Sequence, residues 1–563
     1  MGAAAAGRFN KVMTATSADS KVATAVTQRS VRYCQRGRRL IAIVLPLCVL
    51  GQMLIDFSGI NVLCATIAAA ASLLTFHLVL RSAVVRTAPL PTLVVLGFNV
   101  ATLSGALVAQ TFSLRSLIFN LQVPVVTFAG CALFQASLIL ALLWFVKARV
   151  PRGIARQIAA KLVAPMGVFR EPETTHLWLM GALGAGIMAW SSTVAYRGTV
   201  EYGDVGAKFL MSLMYLAYAP FLIPVLQANF PQSNPGRGAN LALLLGYFVL
   251  LVALAIARNS RGAFALGIAN LGMALFILVL LGQQPIGRRL RRALIAGTIA
   301  IFAFMPVLSD LATAMVVVRG ERGSISSTEL IKRTIETFQD KSELEHYRSV
   351  TRLVDANQYD EIYLGNPFLA RFVQTKFFDN TLASEAVRSG GQAAYFWDVT
   401  IDKTLAFLPT PALRLLGVNV DKANLAFSMG DAIASRTSGK DLGGYATGSP
   451  LGHGLALMGG FIYVAAIPLF LMAFIGLQSL TTLSNGLVVI SPVMLLQLMS
   501  VFGLASGDSL LDVIGLLMRG LIQSTVLYAL VFLLVRLFTR AFFSSSRRSH
   551  TKRHTRYSAG QRL

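Results

Sequence analysis

Cysteine and histidine are scarce in this chain, and the familiar nucleotide and metal signatures are missing. Four cysteines occur in 563 residues, Cys34 in a basic stretch and Cys48, Cys64 and Cys131 inside apolar runs. They set out no disulfide framework and leave the redox compartment open. No CxxC pair, HExxH, P-loop or Rossmann glycine fingerprint is present, so neither zinc nor ATP chemistry is indicated and no cofactor is expected. Acidic residues between spans (Asp355, Asp360, Glu361, Asp398, Asp402) show no ligand-like spacing, so no metal site is expected either. Acidic charge is also rare, with 25 Asp and Glu against 50 Lys and Arg.

What the chain has instead is apolar length. Hydrophobic residues make up 55% and charged residues 13%, with a mean hydropathy of +0.64. Runs of roughly 20 apolar residues recur, the length that crosses a hydrocarbon core, so the sequence reads as an all-α polytopic membrane protein. The net charge of +25 does not point to nucleic acid. Its cations sit in tails and short connections bordering apolar runs, where the positive-inside rule places them.

About twelve spans are expected, at roughly 40–57, 59–80, 88–110, 123–146, 175–196, 206–228, 238–257, 262–282, 293–318, 453–475, 487–506 and 515–538. The first 39 residues are polar and basic and carry no cleavable signal; they read as a disordered cytoplasmic tail before a signal-anchor helix. Alternate connections are basic, through Arg81 and Arg86, Lys147 to Arg170, Arg237, and Arg288 to Arg292, and residues 540–563 form a second basic tail. Both termini are therefore expected in the cytoplasm. Membrane domains 40–318 and 453–539 then flank one large hydrophilic insert, 319–452, on the outer side. Ser326 to Glu329 and Ser342 to Glu345 read as capping boxes within it, and "NPFLARFVQTKFF" from Asn366 as a third helix. The insert looks mainly helical and able to lie over the membrane surface.

This topology puts Arg258 and Arg261, in "IARNSRGAFAL", on the outer side where cations are normally depleted. Arg319, Arg322 and Arg519 belong to the same side. A guanidinium stays charged and forks onto two phosphate oxygens, so the group suits a lipid-linked diphosphate; the plainer reading is snorkelling at helix ends or ordinary headgroup contact. Of six histidines, His346 and His453 fall outside, and His453 in "GSPLGHGLALMGGFIY" is the candidate base for a sugar hydroxyl. Arg348 and Arg352 lie one and two helical turns from Glu345, either as a solvated face or as sugar or phosphate contacts. The aromatics Tyr359, Tyr363, Phe368, Phe372, Phe377, Phe378, Tyr395 and Trp397 read either as sugar-stacking surfaces or, better, as the core of a small helical domain.

"NSRGAFAL" (Asn259 to Leu266), "LGHGLALMGGFIY" and, more loosely, "YRSVTRLVDANQYDEIYLGNP", in this order and with one late outer loop, resemble the bacterial O-antigen polymerase and O-antigen ligase superfamily. That resemblance implies an enzyme of the inner membrane that polymerises undecaprenyl-diphosphate-linked oligosaccharide repeat units into surface polysaccharide and needs no nucleotide sugar. It implies Arg258 and Arg261 on the departing diphosphate, aided by Arg319 and Arg322, and His453 as base. Membrane lipids, a flippase and a chain-length regulator are the implied partners, with no nucleic acid. His453 is followed by Gly454, where ligases often carry Asn, so polymerase and ligase stay open. A flippase or transporter of lipid-linked oligosaccharide is the reading from another class, disfavoured by the lack of an internal repeat. A large polyprenyl-phosphate glycosyltransferase is a third; its usual acidic first outer loop is here almost only Asp56-Phe57-Ser58.

Overall fold

The computed structural model describes residues 17–557 except 197–204, 231–239, 322–324, 352–372, 385–386, 388, 440 and 445. The helices used below are α1 (Ser17–Ile55), α2 (Gly59–Val79), α3 (Pro89–Phe112), α4 (Pro124–Lys147), α5 (Thr174–Tyr196), α6 (Gly206–Asn229), α7 (Leu241–Ala257), α8 (Arg261–Leu280), α9 (Arg288–Val317), α10 (Ser327–Gln339), α11 (Lys341–Thr351), α12 (Thr375–Ala383), α13 (Ala393–Ala406), α14 (Pro450–Met458), α15 (Ile462–Gln478) and α16 (Leu510–Phe542, continuing to Tyr557). Between α15 and α16 lies the hairpin β1 (Thr481–Ser484) and β2 (Leu487–Ile490).

Among the described residues eight helices are long and apolar enough to cross a membrane: Val22–Ile55, α2, α3, α4, α6, Ala303–Glu321, Pro450–Gln478 and Leu510–Phe542. Leu241–Ala257 and Ala265–Leu280 are shorter apolar helices. The chain is therefore a mainly helical, membrane-embedded protein, with eight such helices among its described residues where about twelve spans were expected.

Opposed contacts define two ends of the bundle. The described residues of 319–452 attach at the loop end, where Asp379 accepts from Gln122 and Val123 N–H and, beside it, Gln52 and Asn61 receive the Leu117 N–H at 2.8 and 3.0 Å and Ser116 donates to Asp56 at 2.7 Å. That hydroxyl, more than any other group, holds the Asp56 carboxyl below its usual range. At the hairpin end Arg86 donates to the Gly486 carbonyl at 3.0 Å. Asn229 and Gln283 each donate to and accept from β2, at Ile490 and Val488.

Three expectations need correction here. Residues 17–39, read as part of a disordered tail, belong to α1; Ser30 is buried and donates to the Leu280 carbonyl at 2.6 Å. Residues 487–506 are no continuous span: β2 is followed by short helices at Pro492–Leu495 and Leu498–Gly503 and a 3₁₀ turn at Leu504–Ser506. Asn485 and Gly486 both have positive φ, +50° and +76°, the geometry of an Asn-Gly hairpin turn, and Pro492, Gly503 and Gly507 keep the chain beyond it from settling into one helix. The side chain of Asn270 on α8 spans the break, donating to the Leu496 carbonyl and accepting from the Met499 N–H, both at 2.9 Å. Backbone groups freed inside apolar surroundings need such partners.

The third correction concerns the insert. It does not merely lie over the bundle, because α12 is sunk into it. Phe378 is fully buried, 5.7 Å edge-on from Phe98 of α3, and Phe98 and Phe134 continue the aromatic contact to Phe470 of α15. The α12 entry docks on a π-helical turn of α3 (Val100–Ser104), where Gln374 N–H and the Thr375 hydroxyl donate to the Ala101 and Thr102 carbonyls at 2.8 and 2.9 Å. Such turns release carbonyls that an ordinary helix would use itself. Phe377 and Phe378 are thus buried, and Phe378 packs into the bundle where the core of a separate small helical domain was expected.

Candidate functional site

The loop-end junction is organised by carboxylates holding backbone. Asp379 of α12, fully buried, accepts from the Gln122 and Val123 N–H groups at 2.7 and 2.9 Å and from the Thr127 hydroxyl at 3.1 Å, and so holds the entry of α4 from a distant part of the chain. Its buried partner is Lys376, 3.6 Å away, which also donates to the Asn120 carbonyl. Asp508 accepts from Gly448 N–H at 2.7 Å and Met429 N–H at 2.9 Å. Asp431 accepts from Ala446 N–H at 2.7 Å and closes a capping box with Ser428. Together Asp508 and Asp431 fix the segment that delivers α14.

That helix starts at Ser449, whose hydroxyl accepts from Gly452 N–H at 3.0 Å and lies 2.6 Å from the Thr381 hydroxyl. Gly452 permits the approach, since a Cβ there would stand 2.7 Å from Thr381 Cβ. One residue on, His453 is fully buried. Its Nε2 is 2.8 Å from Thr400 Oγ1 on α13, and that hydroxyl donates to the Phe396 carbonyl at 2.6 Å. With its proton so used, the hydroxyl accepts from Nε2–H, and full burial favours the neutral ring, in which Nδ1 is bare. Nδ1 has no hydrogen-bond partner.

Three residues beyond Thr400, Lys403 donates to the Leu425 and Phe427 carbonyls at 2.8 and 2.5 Å and sits 4.0 Å over the Phe427 ring. Burial lowers its pKa, and the charges of Asp508 and Asp431 partly oppose that shift. Neither Thr400 nor Lys403 stood out in the sequence; the only signal was their i, i+3 spacing in "WDVTIDKTLAF".

The expected arginines fall into different surroundings. Arg258 is the C-cap of α7, just ahead of Asn259, which takes φ +47° in a tight turn, and its charge reaches Tyr218. Arg261 opens α8, and its side chain lies outside the described residues, as do Arg322 and Arg352. Arg319 is exposed on the turn Val318–Glu321. Arg519 is exposed on a π turn (Leu516–Gly520) and donates to Gln523 at 2.7 Å. Arg348, expected as a sugar or phosphate contact or part of a solvated face, is 2.6 Å from Asp310 of α9, which Lys341 also reaches at 2.6 Å. The Arg348–Asp310 pair, made through Nη2, ties the insert to α9. The capping of α11 differs too, because Asp340 takes the Ser342 and Glu343 N–H groups at 3.0 and 3.1 Å, two residues before the expected cap. Ser326 caps α10 as expected, accepting from Glu329 N–H at 3.2 Å.

Among the described residues no three His, Cys, Asp or Glu side chains converge to hold a metal ion. The aromatics divide: Tyr395 lies under the Arg436 guanidinium at 3.8 Å, Trp397 donates to the Leu457 carbonyl at 3.1 Å while 43% exposed, and Tyr359, Tyr363, Phe368 and Phe372 lie outside the described residues. The assembled arrangement can shelter a neutral imidazole beneath a helix of the insert, with a cation and two carboxylates near it. Comparison with protein-family models, with curated proteins and with solved structures gives no match to the chain.

Proposed function

We propose that the protein is a membrane glycosyltransferase that joins lipid-diphosphate-linked oligosaccharide repeat units into a surface polysaccharide at the outer face of a bacterial inner membrane. The observation that carries this reading is the junction of insert and bundle. A single hydrophilic insert sends α12 into the core and lays α13 over His453, whose buried Nδ1 has no partner. The reading makes the loop end the outer face, since the cations of the short connections gather toward the other end.

In this mechanism the acceptor sugar hydroxyl gives its proton to His453 Nδ1 as its oxygen bonds the donor's anomeric carbon. The bond from that carbon to the diphosphate breaks, and the diphosphate leaves with both bonding electrons. Arg258 and Arg261 stabilise its charge, with Arg319, Arg322 and Arg519 as further contacts; positive charge set in place before reaction is the largest contribution such a site makes. His453 is covered by α13, so α13 must lift for the base to meet a sugar.

The test is the glycan ladder of cells lacking the gene, complemented at matched membrane levels with wild type, Arg258→Ala, Arg261→Ala or His453→Ala. The reading expects long glycan from wild type and a single repeat unit from the variants; normal ladders from all of them would refute the mechanism. A flippase has one observation in its favour, the discontinuous backbone of α6, which runs as a 3₁₀ helix over Met214–Val225, and of residues 491–507. Purified protein given lipid-linked repeat units separates the two, because translocation alone lengthens no glycan.

A further inference from the structure

The insert helix α13 has two distinct faces. Phe396, Val399 and Thr400 are buried, while Trp397, Asp398, Ile401 and Asp402 are exposed in two adjacent rows at helical spacing. Two bonds to α14 set the position of the exposed face. Thr400 meets His453, and Trp397, three residues earlier, donates its indole N–H at 3.1 Å to the carbonyl of Leu457, four residues after His453. The two helices therefore lie antiparallel here, and the indole is anchored one turn, about 6 Å, along α14 from His453.

The Trp397 ring is held by its edge without being covered. Leu457 belongs to the last turn of α14, where carbonyls have no helical partner, and Gly459 ends the helix at φ +55°. The bond to Leu457 fixes the indole there while 43% of the residue stays exposed. Gly459 and Gly460 are exposed too, and a Cβ on either would meet nothing within 4 Å, so the space past the end of α14 is open. Tyr395 of the same helix is by contrast taken by the Arg436 guanidinium, 3.8 Å over its ring. Beside the indole, the Asp398 and Asp402 carboxylates take no hydrogen bond or ion pair from the described residues. An aromatic face bordered by such carboxylates repels phosphate head groups. It suits a ligand rich in hydroxyl donors, whose C–H faces can stack on the ring.

We infer that the exposed face of α13 is a glycan-binding platform, with one sugar ring stacked on Trp397 and its hydroxyls donating to Asp398 and Asp402. The inference rests on the glycan-transfer reading for its class of ligand and adds the place where the sugar is held. That place is on the helix that covers His453, one turn from the imidazole. The platform binds sugar hydroxyls and makes no demand on the diphosphate.

The experiment uses the full chain in phosphatidylcholine nanodiscs. Its probe is the oligosaccharide repeat unit released by hydrolysis from the cell's own surface polysaccharide, and titration calorimetry reads its dissociation constant. Wild type should bind it. Asp398→Asn with Asp402→Asn, which keeps the shape of the face, should weaken binding by about tenfold as charge-assisted bonds become neutral ones. Trp397→Ala should weaken it by about fivefold or more, and Trp397→Phe, which keeps a ring without the N–H, should retain most of the affinity. No binding by wild type, or equal affinity across the variants, would overturn the proposal. So would a loss in Trp397→Phe as large as in Trp397→Ala, because the indole would then serve only as a bond to Leu457. Quenching of the Trp397 emission by brominated phosphatidylcholine, taken as wild type less Trp397→Phe, would seat the ring in the bilayer and overturn it as well. The released oligosaccharide carries no diphosphate, so binding is read without transfer. Binding beside a failed ladder assay sinks the transferase and leaves the platform, whereas long ladders beside no binding sink the platform alone.

Discussion

Replacing Asp379 with alanine is the sharpest test of how the insert joins the membrane bundle. The carboxylate and the Lys376 ammonium are both fully buried and 3.6 Å apart. Removing one member of such a pair strands the other charge in a medium that solvates it poorly, which costs about 3–5 kcal/mol. The Gln122 and Val123 N–H groups would lose their acceptor as well, at about 1–3 kcal/mol for each group that stays buried and unpaired. These contributions overlap, since the α4 entry would relax, so a total loss of at least about 3 kcal/mol is expected. Reversible unfolding of the purified protein in mixed micelles, followed by tryptophan fluorescence, measures it. Lys376→Met combined with Asp379→Ala should recover more than about 1 kcal/mol of the loss, because no buried charge is then orphaned. A loss of under about 1 kcal/mol for Asp379→Ala would place this helix in solvent, where ion pairs contribute that little, and would refute the insertion of α12.

Asn270→Ala should cost about 2–5 kcal/mol in the same assay by leaving the Leu496 carbonyl and Met499 N–H unpaired; an unchanged transition would mean that other groups hold the break. Gly97→Ala should lower stability by about 1–3 kcal/mol or more, because the added Cβ would run into the Phe502 backbone, and a fully stable variant would show that the discontinuous segment is loosely packed. Lys403 has a folded-state pKa below its usual 10.5. In the interval between the two values the unfolded chain binds more protons, so stability should rise as pH rises through it. Lys403→Met should flatten that rise in unfolding measured from pH 8 to 11; an identical slope in the variant would assign it to other groups.

Composition and apolar run length determined that the chain is helical and membrane-embedded, because a hydrocarbon solvent leaves a continuous polypeptide few ways to satisfy its backbone. The Ser326 cap was equally legible, since local hydrogen bonds set it. The hairpin at 481–490 was present as Asn485-Gly486 between β-branched residues, a local signal overridden by hydropathy. Other features had no local signature. Apolar content alone cannot tell a span from the broken segment 491–507, whose backbone depends on Asn270 more than 200 positions away. Nothing near Asp379 announces that it holds the entry of α4, nothing near Arg348 that it pairs with Asp310, and nothing near His453 that Thr400 covers it. Sequence determined which residues carry charge and where helices can form; only the tertiary structure decided which charges are already neutralised, because pairing and burial depend on neighbours distant in the chain.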